Sequence, residues 1–395
     1  MKSYNSLITD KDNKPLRILM IAKHCCIRVI READALKSIG YKVDLLTNKI
    51  SFGTEIFDTV GFWHNEQQLK SFLHDTKGRN QIVMCHNEPD EMTYWSRDVL
   101  GVSDKFAIIH NCHDSDLIRR KLIPVPERRA YLASDAVIYV SEPIQEICNG
   151  MHQFTKPTTV LYNYPTLRMI NETEVNWDLN SRKNLVYEGG VNSLGEDKQS
   201  VELNKIYPYR NLFPLFQQLI SQGNEVNVYA GNSDAFQTGQ NIGCVMHPPT
   251  IFDKLLEELS KYRYNLVVFN NAKGTEDQVN FTTANKIWDA LAAGLPSLVC
   301  YCPTMQDYIK KHDIGWSFDN IESIGNCSQL EGSYDKKIAN IKQKRQELIF
   351  ENQIWRDENL FATLLGVEKK SIPDRIKAQA VFEYGEESTN QLLSK

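Results

Sequence analysis

The stretch Arg17-Ile-Leu-Met-Ile-Ala22 is an apolar run that predicts a buried β-strand. A polar turn at residues 23–26 follows it, then an amphipathic helix that ends near Gly40. The next run, Tyr41-Lys-Val-Asp-Leu-Leu46, predicts a second strand. Strand, helix and strand in this order form the unit of a parallel, doubly wound sheet, with glycine at the helix end as its usual stop. This stretch therefore decides the fold class.

The same order recurs along the chain. Further strands are predicted at residues 81–85, 106–109 and 136–140, and each is followed by a polar loop. Residues 171–184 contain few apolar side chains, which indicates a linker. A second series of strands begins after it, at residues 184–191, 225–230, 265–269 and 297–300.

The predicted fold class is therefore α/β, with two tandem Rossmann-like domains facing across a cleft and a C-terminal helical segment. The predicted boundaries are 1–170 for the first domain and 171–345 for the second. Residues 346–395 are predicted to hold a C-terminal helix that returns to the first domain, and a polar tail. A helix is expected to end at Gly366.

Composition narrows the class of protein. The chain has 395 residues, enough for two domains, and a net charge of -5, which gives no reason to expect a nucleic-acid partner. The nine cysteines are scattered and indicate neither a disulfide framework nor a zinc site. The N-terminus, Met1-Lys-Ser-Tyr-Asn-Ser, lacks the apolar core of a signal peptide. We expect a cytoplasmic protein.

A polar loop opens into a helix of small residues at Asn280-Phe-Thr-Thr-Ala-Asn-Lys-Ile-Trp-Asp-Ala-Leu-Ala-Ala-Gly-Leu-Pro296. The side chains of Thr282, Thr283 and Asn285 are predicted to cap this helix and so leave its N-terminus open to an anion. Lys286 and Asp289 are three residues apart and are expected to face one cleft. A cation for phosphate and a carboxylate for vicinal hydroxyls suit a sugar nucleotide. A core helix with Gly-Leu-Pro as its stop is the alternative.

Taken together, these features resemble glycosyltransferases of the GT-B fold over residues 17–365. The resemblance is closest to the large retaining family that uses nucleotide sugars, glycosyltransferase family 4. It rests on four motifs: Arg28-Val-Ile-Arg-Glu-Ala-Asp-Ala-Leu with Gly40, Ser134-Asp-Ala-Val-Ile-Tyr-Val-Ser-Glu142, Tyr187-Glu-Gly-Gly190, and Asn285-Lys-Ile-Trp-Asp-Ala-Leu-Ala-Ala-Gly-Leu-Pro296.

The resemblance implies a donor site on the second domain, an acceptor site on the first, and catalysis without a metal or another cofactor. Asp289 stands where the family has the glutamate that binds the nucleotide ribose. The family's partner glutamate is replaced here by Phe281, a departure that bears on donor-sugar contacts and on retention of configuration.

Three further residues are candidates for donor binding. Gly189 and Gly190 follow a predicted strand, where the missing side chains let a phosphate or sugar approach the backbone. Arg210 precedes a predicted helix, where the family often places a cation on the diphosphate, and it is a candidate for stabilising the leaving group. The alternatives are a tight turn for the glycines and a solvated surface position for Arg210.

Two polar loops of the first domain are candidates for catalysis and acceptor binding. Cys85-His-Asn-Glu-Pro-Asp90 and Ile109-His-Asn-Cys-His-Asp114 each follow a predicted strand. The resemblance favours His113 and Asp114 for contact with the transferred sugar, and His86 and Glu88 for acceptor hydroxyls. These side chains are also compatible with a divalent metal site or a structural role, although the resemblance implies that no metal is used.

Two groups of basic residues remain. Arg28 and Arg31 are three apart on the first helix, where they are expected either to bind an anionic acceptor or to lie on a solvated face. Residues 117–129 mix five cations with apolar residues. A peripheral contact with anionic lipid at the inner face of the membrane and a plain exposed segment are both compatible with this mixture.

The predicted activity is transfer of a sugar from a nucleotide sugar to a hydroxyl of a glycan or lipid-linked acceptor, in the biosynthesis of a polysaccharide or cell-surface glycoconjugate. One alternative is a sugar-nucleotide epimerase or a phosphorylase of the same fold. Another is a non-catalytic subunit that binds glycan or a partner enzyme, which the phenylalanine at position 281 favours.

Overall fold

The computed structural model describes residues 4–10, 13–50, 52–121, 123–192, 201–202, 204–205, 207–230, 233–270 and 276–394. The chain forms two compact units. Unit 1 comprises Met1–Leu167 together with Ile349–Lys395, and unit 2 comprises Arg168–Leu348. The last 47 residues of the chain thus belong to the same unit as the first.

Among the described residues, unit 1 contains a seven-stranded parallel sheet with the strand order β3-β2-β1-β4-β5-β6-β7. Ile18 of β1 pairs with Val43 on one side and with Ile82 on the other. The strands are β1 (Arg17–Ala22), β2 (Lys42–Thr47), β3 (Thr59–Phe62), β4 (Ile82–His86), β5 (Ala107–Cys112), β6 (Ala136–Tyr139) and β7 (Thr158–Val160).

Helices cover this sheet and connect its strands. They are α1 (Ile27–Ser38), α2 (Glu66–Asp75), α3 (Glu91–Leu100), α4 (Asp116–Arg120), α5 (Val125–Ala133) and α6 (Glu142–His152). A short 3₁₀ helix lies at Thr54–Ile56. β1 and β4 are almost completely buried, because a parallel sheet is covered on both faces.

Unit 2 contains, within its described residues, a six-stranded parallel sheet with the order β10-β9-β8-β11-β12-β13. Its strands are β8 (Lys183–Glu188), β9 (Val226–Tyr229), β10 (Val245–His247), β11 (Tyr262–Val267), β12 (Ser297–Cys300) and β13 (Gly315–Phe318). Its helices are α7 (Leu167–Glu172, which starts in unit 1), α8 (Phe213–Ser221), α9 (Ser233–Asn241), α10 (Phe252–Leu259), α11 (Glu276–Phe281), α12 (Asn285–Ala292), α13 (Pro303–His312) and α14 (Glu331–Glu347).

Unit 2 also has 3₁₀ turns at Pro208–Arg210, Glu322–Ile324 and Cys327–Leu330. Its core is apolar and packs helices on the sheet, with Leu185, Phe216 and Leu298 all at 0% exposure. Replacing such a side chain by alanine typically costs 2–5 kcal/mol.

The C-terminal segment completes unit 1. After a 3₁₀ turn at Phe350–Asn352, it forms α15 (Trp355–Leu365), α16 (Asp374–Tyr384) and α17 (Glu386–Ser394). The α15 carboxylate of Glu358 accepts hydrogen bonds from Tyr4 Oη at 2.8 Å, the Leu7 amide at 2.7 Å and Tyr41 Oη at 2.8 Å. Gly366 caps α15 in the left-handed conformation, as predicted. The predicted polar tail is largely helical.

In each sheet the strand order reverses direction at one place, and in doubly wound sheets the loops there form a ligand crevice at the carboxyl ends of the strands. The reversal lies between β1 and β4 in unit 1, and between β8 and β11 in unit 2. His86 ends β4, and Gly189 follows β8. Both lie at the edge where ligands are expected.

In the described part of the chain, no helix combines the length and apolarity needed to cross a membrane.

Candidate active site

The two glycines after β8 are the centre of the unit 2 site. Gly189 has a φ of 122°, which is outside the range of ordinary L-residues. A Cβ atom added to Gly189 would lie 2.6 Å from Lys286 Nζ, and one added to Gly190 would lie 3.2 Å from Arg210 Nη1. Each glycine therefore makes room for a cation. The sequence predicted all four residues as donor contacts, and the structure brings them together.

Aromatic rings hold the two cations. Lys286 lies in the first turn of α12, and its ammonium is 4.9 Å from the centre of the Tyr187 ring. The guanidinium of Arg210 lies 4.6 Å from the ring of Tyr207. The backbone at Arg210 is fixed as well, since its carbonyl accepts a 2.9 Å hydrogen bond from the Asn192 amide. Rings positioned this way stabilise a cation while leaving its N–H donors available.

Lys286 is charged at neutral pH. Burial opposes the charge on Lys286, but Tyr187 and Glu188 outweigh it and raise the pKa of the ammonium above its ordinary value. Arg210 acts in the opposite direction, since like charges repel. Burial raises the pKa of Tyr187, so its phenol stays protonated. Two positive charges held at one strand end, over glycine backbone, create a site for an anion.

The N-terminus of α12 corrects one prediction. Ala284 occupies the N-cap position, and the helix receives no side-chain cap hydrogen bond. Thr282, Thr283 and Asn285 therefore do not cap it, because the capping position belongs to a residue without a polar side chain. Thr283 is buried and Asn285 is exposed. Their proposed contact with the donor stays a prediction.

Asp289 lies in the second turn of α12 and is only 3% exposed. Lys286, in contrast, is half-buried. The predicted contact between Asp289 and a ribose stays a prediction, and it requires a ligand that reaches below the helix surface. Phe281, which replaces the family's glutamate, ends α11 and is half-buried.

Two histidines form the centre of the unit 1 site. His86 Nδ1 lies 3.0 Å from His113 Nε2, and the ring centres are 5.1 Å apart. On the other side of the His113 ring, Nδ1 lies 3.9 Å from the sulfur of Cys26. The three residues follow or end β4, β5 and β1, so the strand order alone brings them together. The sequence predicted both histidines but not their contact.

Both imidazoles are neutral at physiological pH. Burial lowers the pKa of His86 well below its ordinary value, and the nearby His113 and Arg28 lower it further. Burial and Arg28 lower the pKa of His113 in the same way. One ring must donate and the other accept in the hydrogen bond between them, which a doubly protonated pair cannot do. His113 is thus a neutral imidazole whose Nε2 contacts His86 and whose Nδ1 faces Cys26.

The acidic residues of these two loops have a shared partner that the sequence did not single out. Arg119 of α4 contacts Glu88 Oε1 at 2.6 Å and Asp114 Oδ2 at 2.8 Å. In the sequence Arg119 belonged to the basic segment of residues 117–129. Its position between two carboxylates shows a different role, since it ties the loops after β4 and β5 together. Burial raises the pKa of Glu88, and Arg119 counteracts this.

Arg28 corrects a prediction about orientation. It is 3% exposed, and its Nη1 donates to the Leu161 carbonyl at 2.6 Å while its Nε lies 3.4 Å from Glu32. Arg31 is fully buried and donates to the Asn163 carbonyl at 2.7 Å. The expectation that these arginines face an acceptor or solvent is wrong, because this side of α1 packs inward. Arg28 instead adds positive charge beneath the histidine pair.

In the basic segment after β5, some side chains pack on the protein and others are exposed to solvent. Arg129 packs on the Tyr94 ring at 3.8 Å, while Lys121 and Arg128 are exposed. Leu122, in the same segment, lies outside the described residues. The predicted peripheral membrane contact stays a prediction.

In the ranges that the structure describes, no group of three or more His, Cys, Asp and Glu side chains is arranged to hold a metal ion.

Comparison with known proteins shows the fold. The sequence matches no protein-family model and no curated protein. Among solved structures it is similar to sucrose-phosphate synthase from Thermosynechococcus elongatus, with 12% identity, 88% of this chain and 100% of that chain covered, and a TM-score of 0.64. The chain has the GT-B fold.

Two other solved structures share this fold. The Anabaena protein HepE, solved with UDP and glucose, shares 10% identity with a TM-score of 0.60, and the match covers 87% of this chain and 99% of that chain. A UDP-N-acetylglucosamine 2-epimerase shares 11% identity with a TM-score of 0.50, covering 91% of this chain and 100% of the epimerase. The prediction of two parallel α/β domains with a C-terminal helical segment is confirmed.

Proposed function

We propose that this protein is a glycosyltransferase that uses a nucleotide sugar and transfers the sugar to a hydroxyl of a glycan or lipid-linked acceptor. The observation that carries the proposal is the pairing of Gly189 with Lys286 and of Gly190 with Arg210, at the carboxyl edge of the unit 2 sheet. Exposed backbone beneath two fixed cations is the arrangement that a diphosphate requires.

The proposed chemistry uses these cations to stabilise the leaving group. The acceptor oxygen forms a bond to the anomeric carbon of the donor sugar, and the bond from that carbon to the diphosphate oxygen breaks. The proton of the acceptor hydroxyl passes to an oxygen of the departing diphosphate. Negative charge grows on the departing diphosphate, where Lys286 and Arg210 oppose it. Preorganised charges of this kind are commonly the largest contribution to catalysis. Because two cations meet this need, the proposed reaction uses no metal ion or other cofactor.

In unit 1, the neutral histidine pair is the proposed site for the sugar and the acceptor. His113 is proposed to contact the transferred sugar, with its ring oriented by the 3.0 Å hydrogen bond to His86. Asp114 and Glu88 share Arg119, so we propose that they position the two loops and that these loops contact acceptor hydroxyls. Retention of anomeric configuration is part of the proposal and follows from the family resemblance.

Nucleotide binding is the first test. We would measure thermal stabilisation of the protein by UDP, GDP, ADP, CMP and TDP, beginning with UDP because HepE was solved with it. At 100 times its Kd a ligand stabilises the folded state by about 2.7 kcal/mol. The expected result is a shift with one nucleotide that is reduced in Lys286→Met, Arg210→Met and Asp289→Ala. Lys310→Met, an exposed lysine of α13, is the matched control.

A shift of equal size in Lys286→Met, Arg210→Met and the control would reject the diphosphate site. No shift with any nucleotide would favour the non-catalytic reading. In that case the protein would bind glycan or a partner enzyme without donor chemistry.

A sugar-nucleotide epimerase is the second candidate, because one such enzyme shares the fold. The two activities differ in what they require. An epimerase converts a UDP-sugar alone, whereas a transferase makes UDP and a glycoside only when an acceptor is present. Product analysis with and without a panel of glycan acceptors therefore separates them.

A further inference from the structure

Unit 1 contains a cavity that lies away from the histidine pair. Its volume is about 510 Å³, within the range of small-molecule sites. It is formed by the loop before β7, by β7 itself, and by α15 and α17. The lining residues are Thr155, Lys156, Pro157, Thr158, Thr159, Arg356, Asn359, Leu360, Thr363 and Leu392.

The strand ends show that this cavity is separate from the proposed acceptor site. Thr158 is the first residue of β7 and pairs with Val137 near the start of β6. The cavity therefore lies at the amino edge of the parallel sheet. His86 and His113 lie at the carboxyl edge. Nothing in the proposed reaction uses the amino edge.

Its lining is cationic. Lys156 and Arg356 contribute two positive charges, and no acidic side chain is among the residues that line it. Four threonines contribute hydroxyl groups, of which that of Thr363 already donates to the Asn359 carbonyl. Asn359 is already engaged, since its amide nitrogen donates to the Leu392 carbonyl at 2.9 Å. Lys156 is held at the rim by hydrogen bonds to the Leu132 and Ser134 carbonyls. Hydroxyl groups and fixed cations together suit an oxyanion.

Arg356 is the decisive residue. Its side chain is 6% exposed and packs 4.2 Å above the ring of Tyr384. Within the described residues, its Nε and Nη1 have no hydrogen-bond partner. Unsatisfied donors on a buried guanidinium are costly, which makes an added acceptor favourable. Burial alone would lower the pKa of Arg356, but Tyr384 and Glu142 outweigh it and keep the group charged.

We propose that this cavity binds a small metabolite through an oxyanion, either a phosphate or a carboxylate group, with Arg356 as the main contact. The apolar side chains of Leu360 and Leu392 on its wall favour an organic ligand over a free ion. This inference does not rest on the proposed function.

The test measures anion binding by the full chain, using calorimetry at constant ionic strength. Because phosphate is also expected to bind Lys286 and Arg210, the reference is the double variant Lys286→Met/Arg210→Met. We expect inorganic phosphate, acetate, or both to bind this reference protein. Adding Arg356→Met should raise the Kd of the bound anion by about tenfold or more. Binding of phosphate alone would indicate a ligand with a phosphate group, and binding of acetate alone would indicate a ligand with a carboxylate group.

A second variant is needed because Arg356→Met could weaken binding by impairing folding. Leu392→Trp fills the cavity while retaining Arg356, and it should weaken binding to a similar degree. Lys310→Met serves as the exposed control. The inference is overturned if neither anion binds the reference protein, or if both cavity variants bind as the reference does. Loss of UDP binding in the reference protein reports only on the donor site, so failures of the two proposals are distinguishable.

Discussion

At the residue scale, Gly189 and Gly190 are adjacent yet differ in how they tolerate a side chain. Gly189 has a positive φ, and its Cβ would lie 2.6 Å from Lys286 Nζ. The Cβ of Gly190 would lie 3.2 Å from the flexible end of Arg210. We expect Gly189→Ala to displace Lys286, to raise the Kd for the nucleotide about tenfold, and to destabilise the fold by about 1–3 kcal/mol.

Gly190→Ala is the matched comparison and should change both quantities much less, since its contact is longer, at 3.2 Å, and Gly190 does not have a positive φ. Calorimetric titration with the nucleotide and urea denaturation measure the two effects. Equal losses in the two variants would contradict the role assigned to the space above Gly189.

The histidine pair predicts a dependence of stability on pH. In the folded protein the pKa values of His86 and His113 lie well below the ordinary value, which the unfolded chain retains. As pH falls below about 6.5, the unfolded chain therefore takes up protons that the folded protein does not. Each histidine should lower the free energy of unfolding by up to about 2 kcal/mol between pH 6.5 and 5.

Urea denaturation at pH 7 and pH 5 tests this, with His113→Gln compared with the wild type. The variant should lose less stability on acidification, since it removes one of the two titrating groups. An unchanged difference between the two pH values would show that His113 is not buried in its neutral form.

Residue identities indicated the cluster of glycines and cations in unit 2 better than the histidine pair in unit 1. Gly189, Gly190, Arg210 and Lys286 stand out because glycines at strand ends and cations at helix starts are residue types that can bind an anion. The contact between His86 and His113 joins loops from separate strands, and local sequence carries no information on that distance. Arg28 and Arg31 are three residues apart, and this spacing is the same for buried arginines as for arginines on a solvated helix face. Only the packing of α1 shows that they lie inside.

At the element scale, α15 holds the start of the chain in place through Glu358. This carboxylate accepts three hydrogen bonds, from Tyr4, Leu7 and Tyr41, in a buried setting. We expect Glu358→Ala to destabilise unit 1 by about 3–5 kcal/mol, because three buried donors lose their acceptor. Glu358→Gln should cost less, since its amide oxygen still accepts. Thermal and urea denaturation measure both.

The comparison with an exposed acid of the same unit is Glu368→Ala, which should change stability little. If Glu358→Ala were as stable as that control, α15 would not anchor the N-terminal segment.

The strands could be predicted because short apolar runs between polar loops have few alternatives in an α/β chain. The N-cap residue of α12 could not be predicted in this way. Thr282, Thr283 and Asn285 all favour an N-cap position, but the helix begins one residue after Ala284. The capping preferences of side chains indicate the region in which a helix starts. Tertiary packing determines which residue of that region is the N-cap. The helices of the tail were missed for a related reason, since their polar composition hides a buried face that includes Ile376 and Ala380.

At the scale of the whole molecule, unit 1 is built from both ends of the chain. A truncation after Leu348 removes α15, α16 and α17. We expect it to abolish cooperative unfolding of unit 1, because the acceptor for Tyr4, Leu7 and Tyr41 is lost with much of the apolar cover of the sheet. Circular dichroism and calorimetry of the truncated protein test this.

A truncation after Gly366, which keeps α15, is the control and should retain unit 1 with lower stability. Two truncations of equal effect would instead assign the stabilising role to α16 and α17.

The return of the chain to unit 1 also constrains its biosynthesis. The ribosome synthesises the first seven strands before unit 2, yet the helix that completes their unit emerges only after unit 2 is finished. Unit 2 is encoded without interruption and can fold as it leaves the exit tunnel. The N-terminal sheet must wait with a partly uncovered face, and is therefore the part of the nascent chain on which a chaperone would act.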